Sequence, residues 1–181
     1  MRHGALGVLG VLCMAALPLG AQRGVANADL ALVRYGAAIT TVADSVLLRR
    51  MAAKALPVDA PQSAQNELLQ GAQRLVGAFD AVVPPSGLSR LHAQLVGAAA
   101  LLTAAWLELD VEISAPLNCP TVGSCTAVIE AKGLAIESMA DREERAALVF
   151  RDARERATRM LADRGVVLAP LVLPPPRRRA R

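Results

Sequence analysis

Apolar residues recur at intervals of three and four along most of the chain, the spacing that places them on one face of an α-helix. Four such segments are separated by proline-containing breaks at 56–61, 84–85 and 114–116, and alternation typical of strands is almost absent. We therefore predict helices over about 29–53, 63–82, 88–114 and 124–164. The apolar stripes that define the first three are formed by Leu32, Gly36, Ile39, Ala43, Val46 and Arg50; by Leu68, Ala72, Leu75 and Phe79; and by Leu88, Leu91, Leu95, Ala98, Leu102, Ala105 and Leu109.

Several helix ends are marked by residues that favour starting or stopping a helix. Ser63 or Asp59 is available as the N-cap of the second helix, and Ser86 as the N-cap of the third. Gly165 is followed by an apolar residue, which predicts that the fourth helix ends in a Schellman motif.

Four helices joined by short connections predict an all-α fold, an antiparallel up-down-up-down bundle. The fourth helix is longer than its partners, so we expect it either to bend near Gly133 or to extend its Arg- and Glu-rich distal end beyond the bundle. That end is a candidate for pairing with a second copy of the chain. Acidic residues precede arginines by four positions in this helix, which predicts the ion pairs Asp141–Arg145, Asp152–Arg156 and Glu155–Arg159.

The first residues have the pattern of an export signal. A short basic start is followed by an uninterrupted apolar run over 5–17, which is shorter than the roughly 20 residues that a membrane-spanning helix needs. Cleavage sites follow Ala21 and Ala28, and we favour Ala21 because it lies closer to the apolar run. The predicted organisation is a signal peptide over 1–21, with cleavage as late as 28, a bundle domain over 22–166 and a tail over 167–181. The mature protein is then periplasmic or secreted.

Discounting the signal changes the interpretation of composition. The signal and the many alanines raise the hydrophobic fraction to 54% and the mean hydropathy to +0.37. Residues 22–176 carry 15 basic and 16 acidic side chains, so their net charge is −1. The folded body therefore lacks the basic excess of a nucleic-acid-binding domain, and nucleic acid is not an expected partner. The dominance of arginine over lysine, with the alanine content, indicates a bacterial genome rich in G and C.

The sequence pI of about 9.5 comes from the C-terminal tail. Apolar residues and prolines over 166–176 predict an extended strap that folds back on the bundle, followed by solvated arginines. The alternative is a peripheral contact with anionic membrane or envelope polymer, worth roughly 1 kcal/mol per charge near a surface. The arginines that would make this contact are Arg177, Arg178, Arg179 and Arg181.

Two cysteines remain after the signal, Cys119 and Cys125, and they flank a loop that contains proline and glycine. An exported compartment permits oxidation, which predicts a local disulfide. A redox pair or metal site is disfavoured because the spacing is not C-x-x-C and no histidine is near.

Candidate chemistry is sparse, and we predict no catalytic residue, no metal site and no resident cofactor. His92 is the only histidine outside the signal, which excludes a site with several histidine ligands. The alternative for His92 is haem ligation within the bundle, as in four-helix electron carriers. Met160 is the best placed of the methionines for the second ligand, ahead of Met51 and Met139.

The remaining polar and aromatic residues favour structural roles. Glu108, Asp110 and Glu112 cannot all share one helix face, so we predict a solvated acidic end to the third helix. Each predicted helix carries one aromatic residue, which we expect to anchor it in the core: Tyr35, Phe79, Trp106 and Phe150.

These observations lead to a working hypothesis and two alternatives. The chain is interpreted as an exported bacterial helical bundle that binds or scaffolds an unknown protein or envelope component, and not as an enzyme. The alternatives are a carrier of haem or another cofactor through His92, and an enzyme with an unrecognised carboxylate site. The leading hypothesis requires an exposed apolar groove and is incompatible with a bundle that has only a deep polar cavity.

Overall fold

The computed structural model of the protein describes residues 19–57, 60–119, 121 and 124–168, with the backbone alone for 19–29. These ranges form four helices and contain no strand: α1 (Leu19–Lys54), α2 (Gln62–Asp80), α3 (Ser89–Ser114) and α4 (Cys125–Ala162). The all-α prediction is confirmed. The apolar run of the predicted signal and the four C-terminal arginines lie outside the described residues.

The helices run alternately up and down around one apolar core. Tyr35, early in α1, lies beside Phe79 at the end of α2, and Phe79 lies beside His92 at the start of α3. Asp44 of α1 pairs with Arg154, which is late in α4. The predicted antiparallel bundle is therefore confirmed, with α1 and α4 approaching each other less closely than the other neighbouring helices do.

The predicted stripes supply most of the core. All four aromatic anchors are at most 3% exposed, as expected. Burying one large apolar side chain stabilises the fold by about 1.5–3 kcal/mol relative to leaving it exposed. The apolar side chains that are almost fully buried are Ile39, Val46, Leu47, Leu88, Leu95, Leu102, Phe150 and Leu161.

Helix α1 begins at Leu19 rather than at the predicted Asp29. Segment 19–28 contains no proline and three alanines, so nothing local stops the helix from extending backwards. The helical backbone passes through both predicted cleavage sites. Leu32 is the first described side chain that packs against the core, and it follows both sites.

A stretch of α1 from Leu30 to Lys54 is long and apolar enough, by length and composition, to cross a membrane. Within the bundle, 39% of its 18-residue apolar window is buried. A core helix of a bundle meets the same criterion, so this property alone does not distinguish the two environments.

The predicted N-caps of α2 and α3 are wrong where the structure describes them. The residue before α2 is Pro61 and the residue before α3 is Leu88, and neither makes a side-chain cap hydrogen bond. Proline has no N–H to satisfy at a helix start. Leu88 is fully buried, so core packing rather than capping by Ser86 fixes the start of α3. Asp59, the other candidate cap, lies outside the described residues.

Helix α4 ends in the predicted Schellman motif. Gly165 has a φ of 83°, a left-handed conformation that glycine adopts without strain. Its N–H donates to the carbonyl of Ala162 at 2.9 Å, and the N–H of Val166 donates to the carbonyl of Leu161 at 2.9 Å. These are the two hydrogen bonds that define the motif.

The chain then folds back on the bundle, as predicted for the start of the strap. Leu168 is 8% exposed and belongs to the core. A Cβ atom at Gly36 would lie 2.8 Å from Leu168 Cδ2 and 3.1 Å from Val166 Cγ1. The absence of a side chain at Gly36 therefore allows residues 166–168 to pack against α1.

The end of α4 that leaves the core is opposite to the predicted one. No described residue between Cys125 and Arg142 is fully buried, whereas the distal part supplies the core from Glu143 to Leu161. The proximal part projects because α1 ends at Lys54, which lies beside Glu143. Of the three predicted i,i+4 ion pairs in this helix, the structure forms only Asp152–Arg156.

Candidate functional site

Helix α3 has apolar side chains on every side over most of its length. It carries no charge between Arg90 and Glu108. Leu101 is 52% exposed and Leu107 is 42% exposed, although a helix that is apolar all round is normally covered all round. We call the exposed side the outer face of α3, formed by Arg90, Ala93, Gln94, Gly97, Ala100, Leu101, Ala104, Leu107, Glu108 and Val111.

A shallow groove runs between α3 and α4 along one edge of this face. Its volume is about 230 Å³, and it is open to solvent. Val149 and Leu148, at 47% and 53% exposed, extend the apolar surface onto α4. A groove of this kind suits aliphatic side chains of a partner better than a small polar molecule. Its lining consists of Leu101, Ala104, Ala105, Glu108, Arg142, Arg145, Ala146 and Val149.

Charged side chains lie at one end of the groove. Arg142 Nη1 donates to Glu108 Oε2 at 3.2 Å, and both side chains are more than half exposed. Such a pair contributes at most about 1 kcal/mol to stability. Arg145 forms no ion pair with any described residue. The groove therefore ends in an arginine that is available to a partner.

The most deeply buried charges lie on another side of the bundle, between α1 and α4. Arg50 donates from Nε and Nη2 to both carboxylate oxygens of Glu143, the second at 2.8 Å. The two side chains are only 4% and 1% exposed. Lys54 Nζ lies 3.0 Å from Glu143 Oε2 and 2.9 Å from Glu144 Oε2, and Arg50 also donates to Glu144. Two cations thus balance two anions.

The protonation states of this cluster are held by its own contacts. Hydrogen bonds from Lys54 and then Arg50 lower the pKa of Glu144 to about 2. Burial alone would lower the pKa of Arg50, but Glu143 and Glu144 outweigh it and raise that pKa. None of these shifts brings a group towards neutral pH, as a general acid or base would need. The cluster joins α1 to α4.

A second buried ion pair crosses the same pair of helices. Arg154 donates from Nε to Asp44 Oδ1 at 2.6 Å and from Nη2 to Asp44 Oδ2 at 3.1 Å. A charged residue spaced like the apolar residues of a stripe indicates such a buried pair, and Arg50 follows Val46 by four residues. This spacing predicts that Arg50 faces the core, but it does not identify Glu143 as the partner.

His92 lies in a buried aromatic cluster at the end of the bundle where α3 begins. Its ring centroid is 5.8 Å from that of Tyr35 and 4.7 Å from that of Phe79. Its Nδ1 is 3.1 Å from the Tyr35 hydroxyl, in a hydrogen bond whose direction depends on the imidazole tautomer. Burial raises the pKa of Tyr35 to about 12. Nε2 is buried without a hydrogen-bond partner among the described residues.

The predicted partner ligand of His92 is not buried with it. Met160 is 39% exposed, whereas the His92 ring is enclosed by Tyr35 and Phe79. Met51 lies near the end of α1, at the opposite end of the bundle, as expected. Ligation of a cofactor by His92 stays a prediction.

Asp110 departs from the predicted solvated end of α3. Its side chain is 6% exposed and accepts hydrogen bonds from Gln62 Nε2 at 3.1 and 3.2 Å. The reason is helical phase, since Asp110 follows the buried Trp106 by four residues and points inward. Glu108 faces outward as predicted, so the carboxylates diverge. The described residues contain no group of three potential metal ligands.

Cys119 and Cys125 form the predicted disulfide, with their Cα atoms 5.0 Å apart. It closes the connection between α3 and α4 at the start of the projecting part of α4. Lys132, about two turns further along, donates to the carbonyl oxygens of Ala115 and Ile113 at the end of α3. These contacts fix the projecting segment to α3.

The outer face of α3 and its groove form an apolar surface that the described chain leaves uncovered. The buried ion pairs and Asp110 have internal contacts that account for them in the fold, whereas Nε2 of His92 has no partner among the described residues. No protein-family model matches the chain, and no curated protein sequence or solved structure is significantly similar to it.

Proposed function

We propose that this protein is an exported bacterial binding or scaffolding module of the periplasm or cell envelope, not an enzyme, and that it binds a partner protein on the outer face of α3. The observation that carries the proposal is an uncharged helix face, from Ala93 to Leu107, left exposed beside an apolar groove. Exposed apolar patches of this kind are typical of protein interaction sites.

The export part of the proposal rests on three features. The sequence begins with a basic start and an apolar run that is too short for a membrane span. The core residues that the structure describes all follow both cleavage sites, the first being Leu32. The disulfide between Cys119 and Cys125 suits an oxidising compartment.

The basic tail adds a second contact to the proposal. Four arginines at the C-terminus are attracted to an anionic surface by roughly 1 kcal/mol each. That attraction would hold the module near the envelope without anchoring it.

Photo-crosslinking in intact cells tests the docking surface. A benzoylphenylalanine residue replaces Ala104 on the outer face of α3, and in the matched control it replaces Ala78, an exposed alanine of α2. We expect one adduct of discrete mass from position 104 and none from position 78. Equal adducts at both positions, or none at position 104, would contradict the proposal.

Intact mass of the same material tests the export part. We expect loss of residues 1–21 or 1–28, and a further loss of two hydrogens for the disulfide. A full-length reduced chain in the cytoplasm would exclude export.

The unpartnered Nε2 of His92 favours one alternative, a cofactor carrier. Protein produced with haem available distinguishes it from the docking proposal. A Soret band that is abolished by His92→Ala would favour the carrier, and its absence would exclude haem.

A further inference from the structure

We propose that the partner on the outer face of α3 is a second copy of this chain, so that two α3 helices pack in antiparallel orientation in a two-fold symmetric homodimer. This inference rests on the proposed function, because it concerns the same surface. It places the dimer contact on α3. The distal end of α4, the candidate for pairing from the sequence, packs one side into its own bundle.

The charges on the outer face are complementary to themselves. Arg90 and Glu108 are separated by 18 residues, which is five turns of helix at 3.6 residues per turn, so both point in the same direction about 27 Å apart. No charge lies between them. An antiparallel copy would place the partner's Glu108 against Arg90 and the partner's Arg90 against Glu108. A parallel copy would bring like charges together.

Both charged groups are available for this contact. Arg90 is exposed and forms no ion pair with a described residue. Glu108 is 53% exposed, and its bond to Arg142 uses only Oε2. A two-fold interface repeats each contact, so the dimer would contain two such ion pairs.

Gly97 leaves room for a close neighbour on this face. A Cβ atom at this position would meet nothing within 4 Å, so no described part of the chain requires glycine there. Glycine inside a helix is unfavourable relative to alanine. In the register that pairs Arg90 with the partner's Glu108, Gly97 lies opposite the partner's Leu101. The leucine would fill the space that Gly97 leaves.

One turn away along the helix, a larger side chain again lies opposite a smaller one. Gln94 lies opposite the partner's Ala104 in this register, and both are exposed in the single chain. Interdigitation of large and small side chains is how helices pack closely. The face therefore supplies matched shapes as well as matched charges to a copy of itself.

The molar mass of the mature protein, measured by sedimentation over about 1–500 µM, tests the inference; this range spans the affinities expected for weak to moderate complexes. We expect a dimer that Leu101→Glu converts to monomer, while Leu48→Glu, at an exposed leucine of α1, leaves it intact. Gly97→Leu should also dissociate it, and Gly77→Leu should not, because Gly77 of α2 is equally open. Circular dichroism confirms that each variant is folded.

Charge reversal tests the register. Arg90→Glu and Glu108→Arg should each weaken dimerisation by about 10-fold, since each replaces two attractive pairs with repulsive ones. The double variant should recover most of that loss. It does not restore the contact of residue 108 with Arg142 inside the chain, so recovery reports the contact between copies.

The outcomes separate this inference from the proposed function. A wild-type monomer at all concentrations, or a dimer that Leu101→Glu and Gly97→Leu leave intact, overturns the inference. If the protein is monomeric but position 104 still crosslinks to a different protein, the docking proposal survives. If position 104 crosslinks to nothing, both are wrong.

Discussion

Glu143→Gln is a change of charge without a change of shape at the most buried ion pair of the bundle. The Glu143 side chain is 1% exposed and accepts two hydrogen bonds from Arg50. Glutamine would leave Arg50, itself 3% exposed, with Glu144 as its only anionic partner. Glu144 is about half exposed, so water weakens its compensation.

The expected loss follows from that geometry. Removing one partner of a buried ion pair costs about 3–5 kcal/mol, because the other charge stays buried. Glu144 retains part of the compensation, so we expect a loss of about 2–3 kcal/mol from the free energy of unfolding. That is a large fraction of the 5–15 kcal/mol typical of a domain.

Urea denaturation followed by circular dichroism measures this loss. The matched control is Glu108→Gln, the same chemical change in an ion pair whose side chains are 56% and 53% exposed, and we expect at most about 1 kcal/mol there. The double variant Arg50→Met with Glu143→Leu should be close to wild type, since no charge is left unpaired.

Two results would refute the reasoning. One is an equal loss of stability in Glu143→Gln and Glu108→Gln. The other is a double variant as unstable as the sum of its single variants, because uncoupled residues give additive changes.

Three further predictions concern other contacts. Gly36→Ala should be about 1–3 kcal/mol less stable than Gly77→Ala, as overpacking predicts. The new Cβ at position 36 would lie 2.8 Å from Leu168 Cδ2, whereas the one at position 77 would lie in open space. Tyr35 is the only tyrosine, and burial raises its pKa to about 12, so tyrosinate absorbance at 295 nm should not appear until the pH nears 12. The contribution of Tyr35 to the free energy of unfolding should be complete below pH 10 and be lost as the pH rises through 12. Glu144 has a pKa lowered from 4.5 to about 2, so its contribution is present above pH 4.5 and lost as the pH falls through 2; in Glu144→Gln, unfolding free energy should vary less over that range.

Each of these has a contradicting result. A Gly36→Ala variant as stable as Gly77→Ala would mean that segment 166–168 does not pack against α1. Tyrosinate absorbance rising near pH 10 in folded protein would place the Tyr35 hydroxyl in water. Identical acid dependence in wild type and Glu144→Gln would show that Glu144 is not bound by Lys54 and Arg50 in solution.

The helices were predictable because apolar periodicity is a local property. The stripe from Leu88 to Leu109 fixes α3, and the end of α4 follows from Gly165 and its neighbour. Helix starts were less predictable where burial overrides capping, as at Leu88. The first helix began earlier than predicted because no proline lies between Leu19 and Asp29.

Polar residues inside the bundle could not be interpreted from spacing alone. Arg50 is in phase with the apolar stripe of α1, but its partner Glu143 is 93 residues away. Asp110 was interpreted from its acidic neighbours, whereas its burial depends on Gln62 of another helix. Which end of α4 projects likewise depends on where α1 stops.

The candidate site could be predicted only in part. The sequence shows that α3 has no charge between Arg90 and Glu108, a pattern typical of a helix that is covered on all sides. It does not show which side stays open, because that depends on how many helices surround α3. Four helices in a ring leave one side of each uncovered.

The packing of Leu168 against Gly36 has a mechanical consequence. It brings the described C-terminal end of the chain beside the early part of α1. A force that pulls Leu168 away from Gly36 would therefore separate α4 from α1 progressively from that end. The strap contact would open first, then the Asp44–Arg154 pair, then the Arg50–Glu143 pair. Each contact would bear the force alone until it broke. The two helices would then separate in steps, rather than by breaking all their contacts at the same force.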